Sequence, residues 1–147
     1  MFREPFVVFD LDGTVVGTAG RLHFVMVKPK DYDGFHKASV YAEPIAHIRP
    51  VWWGFWRQRI PIEIWTGRPQ KYEVITRNWL SCHGFTGCRR LRMRAAGDTR
   101  PDTEIKKSWL DECGVYKPML VFEDRSRVVD MYREAGVPCF QVVKGDY

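Results

Sequence analysis

Short apolar runs alternate along the chain with longer stretches of helical periodicity. Runs with the length of strands lie at 6–9, 60–65, 90–94, 119–122 and 139–143, and helices are predicted at 50–58, 70–82, 101–113 and 126–135. Because parallel strands need crossover helices between them, this alternation predicts an α/β protein. We expect a parallel sheet of about five strands with helices on both faces.

The region between the first predicted strand and the first predicted helix has no clear periodicity. Residues 18–44 mix glycine, proline, lysine and aromatic side chains, which is typical of an insertion. With 147 residues, the chain has the length of one domain. We therefore expect residues 1–147 to form a single domain, with a small cap or substrate loop at 18–44.

Polar residues follow three of the predicted strands. Strand 6–9 runs into Asp10 and Asp12, strand 60–65 into Thr66, Gly67 and Arg68, and strand 119–122 into Glu123, Asp124 and Arg125. In parallel α/β sheets, ligands bind beyond the carboxyl ends of the strands. These side chains are therefore predicted to line one site at that edge of the sheet.

The segment Asp10-Leu11-Asp12-Gly13-Thr14 is the most informative of the three. Its two aspartates lie two positions apart, so both side chains leave an extended backbone on the same side. Such a pair could act as nucleophile and proton donor in phosphoryl transfer, while Glu123 and Asp124 help to hold Mg²⁺. The alternatives are a simple turn and a calcium loop, although Val16 and Gly20 stand where a calcium loop needs ligands.

These segments resemble the motifs of the haloacid dehalogenase (HAD) phosphatases. The resemblance implies a HAD-like Rossmannoid fold with a minimal cap and an aspartyl phosphate formed on Asp10. Asp12 would protonate the leaving group and then activate water, and Thr66 and a helical lysine would hold the phosphoryl oxygens. The resemblance also implies that Mg²⁺ is held by Asp10, Asp12, Glu123 and Asp124.

A closer resemblance, from the first strand to the last residue, is to the 3′-phosphatase domain of bacteriophage polynucleotide kinase. Residues 123–133 and the closing Gly145-Asp146-Tyr147 carry most of it. In the third-motif region, the resemblance favours Lys106 over Lys107 as the catalytic lysine. Asp102, four residues earlier, would either orient that lysine across one helical turn or favour the start of the helix.

Two features depart from the pattern of these families. Glu123 stands where an aspartate is expected, and its longer side chain can alter how the metal is held. The phosphate-binding segment of the kinase, Gly-x-x-x-x-Gly-Lys-Ser/Thr, does not occur in the sequence. No kinase domain is therefore expected.

The short insertion favours an open cleft, which suits the end of a polynucleotide. Arg21, Arg68, Gly67 and Asp102 are the predicted substrate-binding residues. We interpret the chain as an Mg²⁺-dependent polynucleotide 3′-phosphatase acting on DNA or RNA ends, with a separate kinase or ligase as a further partner. The alternatives are a small-molecule phosphatase such as a nucleotidase, and a non-catalytic module that binds nucleic-acid ends. The sequence leaves the oligomeric state open.

The charge and the positions of aromatic residues also bear on whether the chain binds nucleic acid. The net charge of +5 suits a polyanionic partner. Arg90, Arg92 and Arg94 share one strand face, where they would either bind a nucleic-acid backbone or protect a sheet edge. The helical spacing of the tryptophans at 52, 53 and 56 favours the core over base stacking.

The sequence contains no stretch long enough to span a membrane. We therefore expect no membrane partner and a cytoplasmic location, which would be the host cytoplasm for a phage-encoded chain.

Overall fold

The computed structural model describes residues 4–147. The strands are β1 (Val7–Phe9), β2 (Ile62–Pro69), β3 (Cys88–Arg94), β4 (Leu120–Arg125) and β5 (Cys139–Gly145). They form one sheet in the spatial order β3-β2-β1-β4-β5, and every neighbouring pair is parallel. The predicted α/β class and the predicted parallel sheet are confirmed.

Six α-helices accompany the sheet in the described part of the chain. They are α1 (His23–Met26), α2 (Tyr32–Lys37), α3 (Ile48–Arg57), α4 (Glu73–Cys82), α5 (Asp102–Glu112) and α6 (Ser126–Glu134). Helix α3 begins two residues before the predicted start, and Pro50 is accommodated because its first-turn position needs no N–H donor. No helix within residues 4–147 is long and apolar enough to cross a membrane.

The sheet is covered on both faces. On one face, Phe9 of β1 packs with Trp52 in a core cluster that includes side chains from α3 and α4. On the other face, Val8 packs with Leu110 of α5 and Val129 of α6. All three residues of β1 are buried, as expected for the central strand of a parallel sheet. The ends of β1 are therefore fixed by packing from both sides.

Two strands run further than their apolar runs predict. Strand β2 continues through Thr66 to Pro69, and β4 continues through Glu123 to Arg125. In both cases the strand remains paired with the strand on its outer side beyond a register shift, β2 with β3 and β4 with β5. The polar residues after the apolar runs are thus held in the sheet, which fixes the direction of their side chains.

The insertion at 18–44 contains α1, α2 and a 3₁₀ turn at Ala38–Tyr41. Helices of four and six residues are too short to reveal a period, which is why the sequence indicated only an insertion. Lys71 Nζ lies 2.9 Å from Asp33 Oδ1, and the Tyr72 hydroxyl also bonds to that carboxylate. These contacts tie the insertion to the segment that leads into α4.

Two of the three stripe arginines of β3, an edge strand, contact side chains within the fold, while Arg90 is exposed. Arg92 Nη1 lies 2.6 Å from Glu112 Oε2, and the same guanidinium lies 5.1 Å from the centre of a Trp65 ring. Arg94 Nη2 lies 2.5 Å from Asp102 Oδ1. These contacts favour the edge-protecting interpretation of the arginine stripe over a role in binding a nucleic-acid backbone.

The tryptophans of α3 have different environments. Trp52 is fully buried, and its Nε1 donates a hydrogen bond of 2.9 Å to Thr86 O. Trp56 is 44% exposed and lies against Trp53, with ring centres 5.0 Å apart. The prediction of a core position is therefore confirmed for Trp52 and is wrong for Trp56.

Candidate active site

The carboxyl ends of β1 and β4 meet at the centre of the sheet. From β1 the chain passes to β2 on one side, and it later returns to β4 on the other side. A reversal of this kind opens a crevice in which the ligands of α/β sheets bind. Asp10 immediately follows β1, and Glu123 and Asp124 lie near the end of β4. The predicted convergence of these three residues at one edge is therefore observed.

A buried lysine of α5 joins the two strand ends. Lys106 Nζ lies 2.6 Å from Asp10 Oδ1 and 2.6 Å from Glu123 Oε2. Burial opposes the charged form of Lys106, but Asp10 and Glu123 outweigh it and raise the pKa of the lysine well above its ordinary value. The ammonium group is therefore a fixed positive charge beside Asp10. Lys107, in contrast, pairs with Asp111 on the exposed side of the helix.

Three carboxylates lie close together beside this lysine. Asp10, Glu123 and Asp124 each have an oxygen within 4.8 Å of the others. Burial and the charge of Glu123 raise the pKa of Asp10 to about 7, and burial with the charges of Asp10 and Glu123 raises the pKa of Asp124 to about 9. Full ionisation of the acidic cluster, defined as Asp10, Glu123 and Asp124, therefore needs more positive charge than one lysine supplies.

The acidic cluster fits a divalent cation. Asp124 is fully buried, and its Oδ1 has no hydrogen-bond partner among residues 4–147. A buried carboxylate oxygen without a donor is costly unless a cation or another group meets it. Hard oxygen ligands of this kind are those that Mg²⁺ prefers. Asp10 and Asp124 have the chemistry and the positions to hold it.

Glu123 has a different set of contacts. Its Oε1 accepts hydrogen bonds from the N–H groups of Asp124 and Arg125, at 3.0 and 3.2 Å, while its Oε2 meets Lys106. Both oxygens are therefore occupied by donors within the protein. The longer side chain, which departs from the family pattern, folds back to cap the main chain that presents Asp124.

The carboxylate of Asp12 faces away from the acidic cluster and towards two arginines. Arg68 meets it with two nitrogens, at 2.6 and 3.1 Å, and Arg21 Nη2 lies 2.6 Å from Oδ1. Burial would raise the pKa of Asp12, but Arg68 and Arg21 outweigh it and hold the pKa well below its usual range. The carbonyl oxygen of Asp12 is linked to the acidic cluster through the Tyr147 hydroxyl, which lies 3.0 Å from it and 3.0 Å from Asp124 Oδ2.

Both arginines are fixed by further contacts. Arg21 Nε donates to Gly17 O at 3.0 Å, and Arg21 Nη1 donates to Phe35 O at 3.2 Å. Arg68 Nη1 donates to Thr76 Oγ1 at 2.9 Å. The basic cluster, defined as Arg21 and Arg68 with Asp12, is a preorganised anion site in which one carboxylate accounts for only part of the positive charge.

Thr66 and Gly67 lie where β2 approaches this cluster. Thr66 is buried, and its Oγ1 accepts a hydrogen bond of 3.1 Å from the Arg68 N–H. A Cβ added to Gly67 would lie 2.2 Å from Asp102 Oδ1, so only glycine fits there. The predicted residues of the second motif therefore adjoin the substrate-binding candidates.

Asp102 binds arginines, and the prediction that it orients Lys106 is not supported by its contacts. Its Oδ1 accepts from Arg94 Nη2 at 2.5 Å, and its Oδ2 accepts from Arg125 Nη1 at 2.7 Å. Lys106 points instead to Asp10 and Glu123. The reason is geometric, because the helix start lies beside two cationic side chains that meet the Asp102 carboxylate first.

A cleft of about 510 Å³ lies above these residues. Its lining includes Tyr32, Phe35 and His36, which come from the insertion. The lining also includes basic side chains such as Arg100 and Arg127. Asp10 and Asp12 line the same cleft. The cleft therefore brings the two aspartates together with aromatic and cationic side chains.

Several residues that line the cleft were not among the predicted site residues, and His36, Arg94 and Tyr147 are three of them. Arg125, which directly follows Glu123-Asp124, was predicted at this edge from its position after a strand, and it lines the cleft. His36 and Tyr147 lie in segments without periodicity, where only the folded chain brings them to the site.

Comparisons with known proteins agree with this geometry. The family model described as "Polynucleotide kinase PNKP phosphatase domain" matches residues 4–147. A solved structure of a Pnkp1/Rnl/Hen1 RNA repair complex contains a similar chain, with a TM-score of 0.82 and 29% sequence identity over 98% of this chain and 44% of that one. A second structure of a Pnkp1/Rnl/Hen1 complex contains a chain with a TM-score of 0.81 and 29% sequence identity, over 97% of this chain and 47% of that one. The chain thus spans less than half the length of these two relatives.

A haloacid dehalogenase-like hydrolase from Streptococcus pneumoniae is a more distant match. Its TM-score is 0.63 with 14% identity, over 94% of this chain and 84% of that one. At this identity the likeness concerns the fold alone, and it agrees with the five-stranded sheet described above.

Proposed function

Because the chain belongs to the polynucleotide kinase PNKP phosphatase domain family of HAD phosphatases, we propose that it removes 3′-phosphates from nucleic-acid ends. The main observation behind the proposal is the ion pair between Asp10 and Lys106, because Asp10 lines a cleft that also contains several arginines. An anionic nucleophile attacks a phosphate ester only where nearby cations offset the repulsion, and this site supplies them.

Asp10 is the proposed nucleophile. One of its carboxylate oxygens attacks phosphorus, and the bond from phosphorus to the 3′ oxygen breaks. Asp12, which takes up a proton from solvent once the bound phosphate shares its two arginines, gives that proton to the 3′ oxygen. Water then attacks the aspartyl phosphate and gives a proton to Asp12, so that inorganic phosphate leaves and both aspartates are restored. Lys106 holds the Asp10 carboxylate in place throughout.

The basic cluster is the proposed phosphate site. Arg21 and Arg68 both contact the Asp12 carboxylate, and Arg68 lines the same cleft as Asp10, so we propose that the two guanidinium groups bind a phosphoryl group carried by Asp10. A bound phosphate would share these two guanidinium groups, which leaves Asp12 free to carry a proton. Positioning and charge compensation of this kind supply most of the catalysis of phosphoryl transfer.

Mg²⁺ is the proposed cofactor. Bound by Asp10 and Asp124, it would offset the negative charge of the phosphoryl group and of the acidic cluster. Glu123 contributes by orienting Asp124 and Lys106 through its own hydrogen bonds.

A nucleic-acid end is the proposed substrate, because the lining of the cleft includes basic side chains in addition to those of the basic cluster. Arg127 is an exposed one, which can meet a further backbone phosphate. Removal of a 3′-phosphate leaves the 3′-hydroxyl that strand joining requires. We therefore propose that a kinase or ligase acts on the same ends, in keeping with the RNA repair complex that contains the similar chain.

The test is release of inorganic phosphate from four substrates, with Mg²⁺ and with EDTA. They are a 3′-phosphorylated oligonucleotide, a 5′-phosphorylated oligonucleotide, a 3′-mononucleotide and a 5′-mononucleotide. We expect Mg²⁺-dependent release with preference for the 3′-phosphorylated oligonucleotide. Preference for mononucleotides would indicate a nucleotidase, and binding of oligonucleotides without release would indicate an end-binding module.

A further inference from the structure

We propose that Tyr147 is a positioning residue that orients the Asp124 carboxylate and thereby sets the affinity of the acidic cluster for a divalent cation. The inference rests on the proposed Mg²⁺ dependence and adds a residue to it. Tyr147 Oη lies 3.0 Å from Asp124 Oδ2 and 3.0 Å from Asp12 O. One hydroxyl therefore contacts both the end of β4 and the turn after β1.

The hydroxyl is the donor in this position. Its two neighbours are the carbonyl oxygen of Asp12 and a carboxylate oxygen of Asp124, which accept hydrogen bonds, and the phenol offers its one proton between them. A hydrogen bond to Oδ2 leaves Oδ1, which lacks a partner among residues 4–147, as the oxygen available to a cation.

The surroundings leave the Asp124 carboxylate little other freedom. A Cβ added to Gly13 or to Gly145 would lie 2.2 Å from its Oδ2. These glycines let two stretches of main chain pack against the carboxylate, and Tyr147 supplies the directional contact that they lack. Mutation of a residue that orients a metal ligand in this way typically lowers metal affinity or activity by roughly 10–100-fold.

The Tyr147 ring is itself fixed. The Arg125 guanidinium lies 4.8 Å from the ring centre, and Arg125 Nη1 is anchored to Asp102 Oδ2 at 2.7 Å. The Phe35 ring of the insertion lies 6.4 Å from it, measured between ring centres. These contacts involve the ring and not the hydroxyl, so phenylalanine would preserve them. Tyr147→Phe therefore separates the hydrogen bond from the packing.

The experiment measures binding of Mn²⁺ to the substrate-free protein, from the loss of the electron paramagnetic resonance signal of free Mn²⁺. Mn²⁺ accepts the same oxygen ligands as Mg²⁺. We expect Tyr147→Phe to weaken Mn²⁺ binding by about 10–100-fold and to raise the half-saturating Mg²⁺ concentration by a similar factor.

Tyr72→Phe is the matched control, because it also removes a hydroxyl that bonds to an aspartate, Asp33, outside the cleft. It should leave Mn²⁺ binding unchanged. Thermal unfolding of both variants in EDTA checks that each folds. Unchanged Mn²⁺ binding in Tyr147→Phe would overturn the inference while leaving the phosphatase proposal intact. Absence of Mn²⁺ binding by the unmodified chain would overturn the metal site and this inference with it.

Discussion

The acidic cluster and the basic cluster lie side by side and have opposite imbalances of charge. In the acidic cluster, three carboxylates surround the single ammonium group of Lys106. In the basic cluster, two guanidinium groups surround the single carboxylate of Asp12. Each cluster is therefore short of one partner, a cation in the first and an anion in the second.

This difference explains how neighbouring aspartates of one segment can have different tasks. Asp10 and Asp12 are separated by a single residue, yet burial and Glu123 raise the pKa of Asp10 while Arg68 and Arg21 lower the pKa of Asp12. These shifts belong to the empty site, so Asp10 acts as an anionic nucleophile once a cation joins the acidic cluster, and Asp12 carries a proton once a phosphate shares its two arginines. A phosphate bound with Mg²⁺ would complete both clusters at once.

The largest effect is expected from removing the proposed nucleophile, Asp10, from the acidic cluster. Asp10→Asn keeps the shape of the side chain but removes the attacking charge, so we expect phosphate release to fall by roughly 10⁴-fold or more. Asp130→Asn, an exposed change on α6, should have no effect. Mass spectrometry of the quenched reaction should detect phosphorylated protein only where Asp10 is present. Substantial turnover by Asp10→Asn would rule out the phosphoenzyme route.

The next test removes the single cation of the acidic cluster. Lys106→Met leaves Asp10 and Glu123 buried without their partner, so the free energy of unfolding should fall by about 3–5 kcal/mol. Urea unfolding in EDTA measures this loss, and added Mg²⁺ should restore part of it. Lys107→Met, which removes an exposed ion pair, should cost less than about 1 kcal/mol. Equal losses for the two variants would mean that Lys106 does not neutralise the cluster.

The third test concerns the basic cluster. Arg68→Lys retains the charge but loses the two-pronged contact, so kcat/KM should fall by about 10²–10³-fold. Inhibition by inorganic phosphate should weaken in parallel, because the same guanidinium is proposed to hold the phosphate. Arg77→Lys, on the exposed face of α4, is the control. If only turnover fell and phosphate inhibition were unchanged, Arg68 would serve Asp12 and not the substrate.

The two clusters also differ in how far the sequence predicted them. Asp10, Glu123 and Asp124 follow buried apolar strands, and the parallel sheet brings such strand ends together, so their convergence was predictable. The contacts of Asp12 were not, because Arg21 comes from an insertion whose first helix has only four residues. Periodicity shows where strands end, but it does not show which cation meets which carboxylate.

The Asp102 contacts illustrate the same limit. The spacing of Asp102 and Lys106 suggested a link across one helical turn, but Arg94 and Arg125 reach the carboxylate from β3 and β4. A local pattern cannot anticipate competitors that arrive from neighbouring strands. The family resemblance favoured Lys106 over Lys107, and of the two only Lys106 is buried and paired with Asp10, while its catalytic role stays a prediction.

The smallest expected effect comes from the one residue at which the acidic cluster departs from its family pattern. The Glu123 carboxylate bonds both to Lys106 and to the N–H groups of Asp124 and Arg125. Aspartate is shorter by one methylene and cannot span both sides, and losing one charge-assisted hydrogen bond costs about 1.5–3 kcal/mol. Glu123→Asp should therefore lower the free energy of unfolding in EDTA by that amount.

The matched change is Glu112→Asp, since the Glu112 side chain is 58% exposed and its ion pair with Arg92 contributes little. Urea unfolding of both variants in EDTA measures the loss in the free energy of unfolding for each. A loss confined to Glu123→Asp would mean that the glutamate is fitted to this main chain, where it serves Lys106 and Asp124 together. Equal stability of the two variants would instead mean that an aspartate can take over the cap, and that the longer side chain has no structural task here.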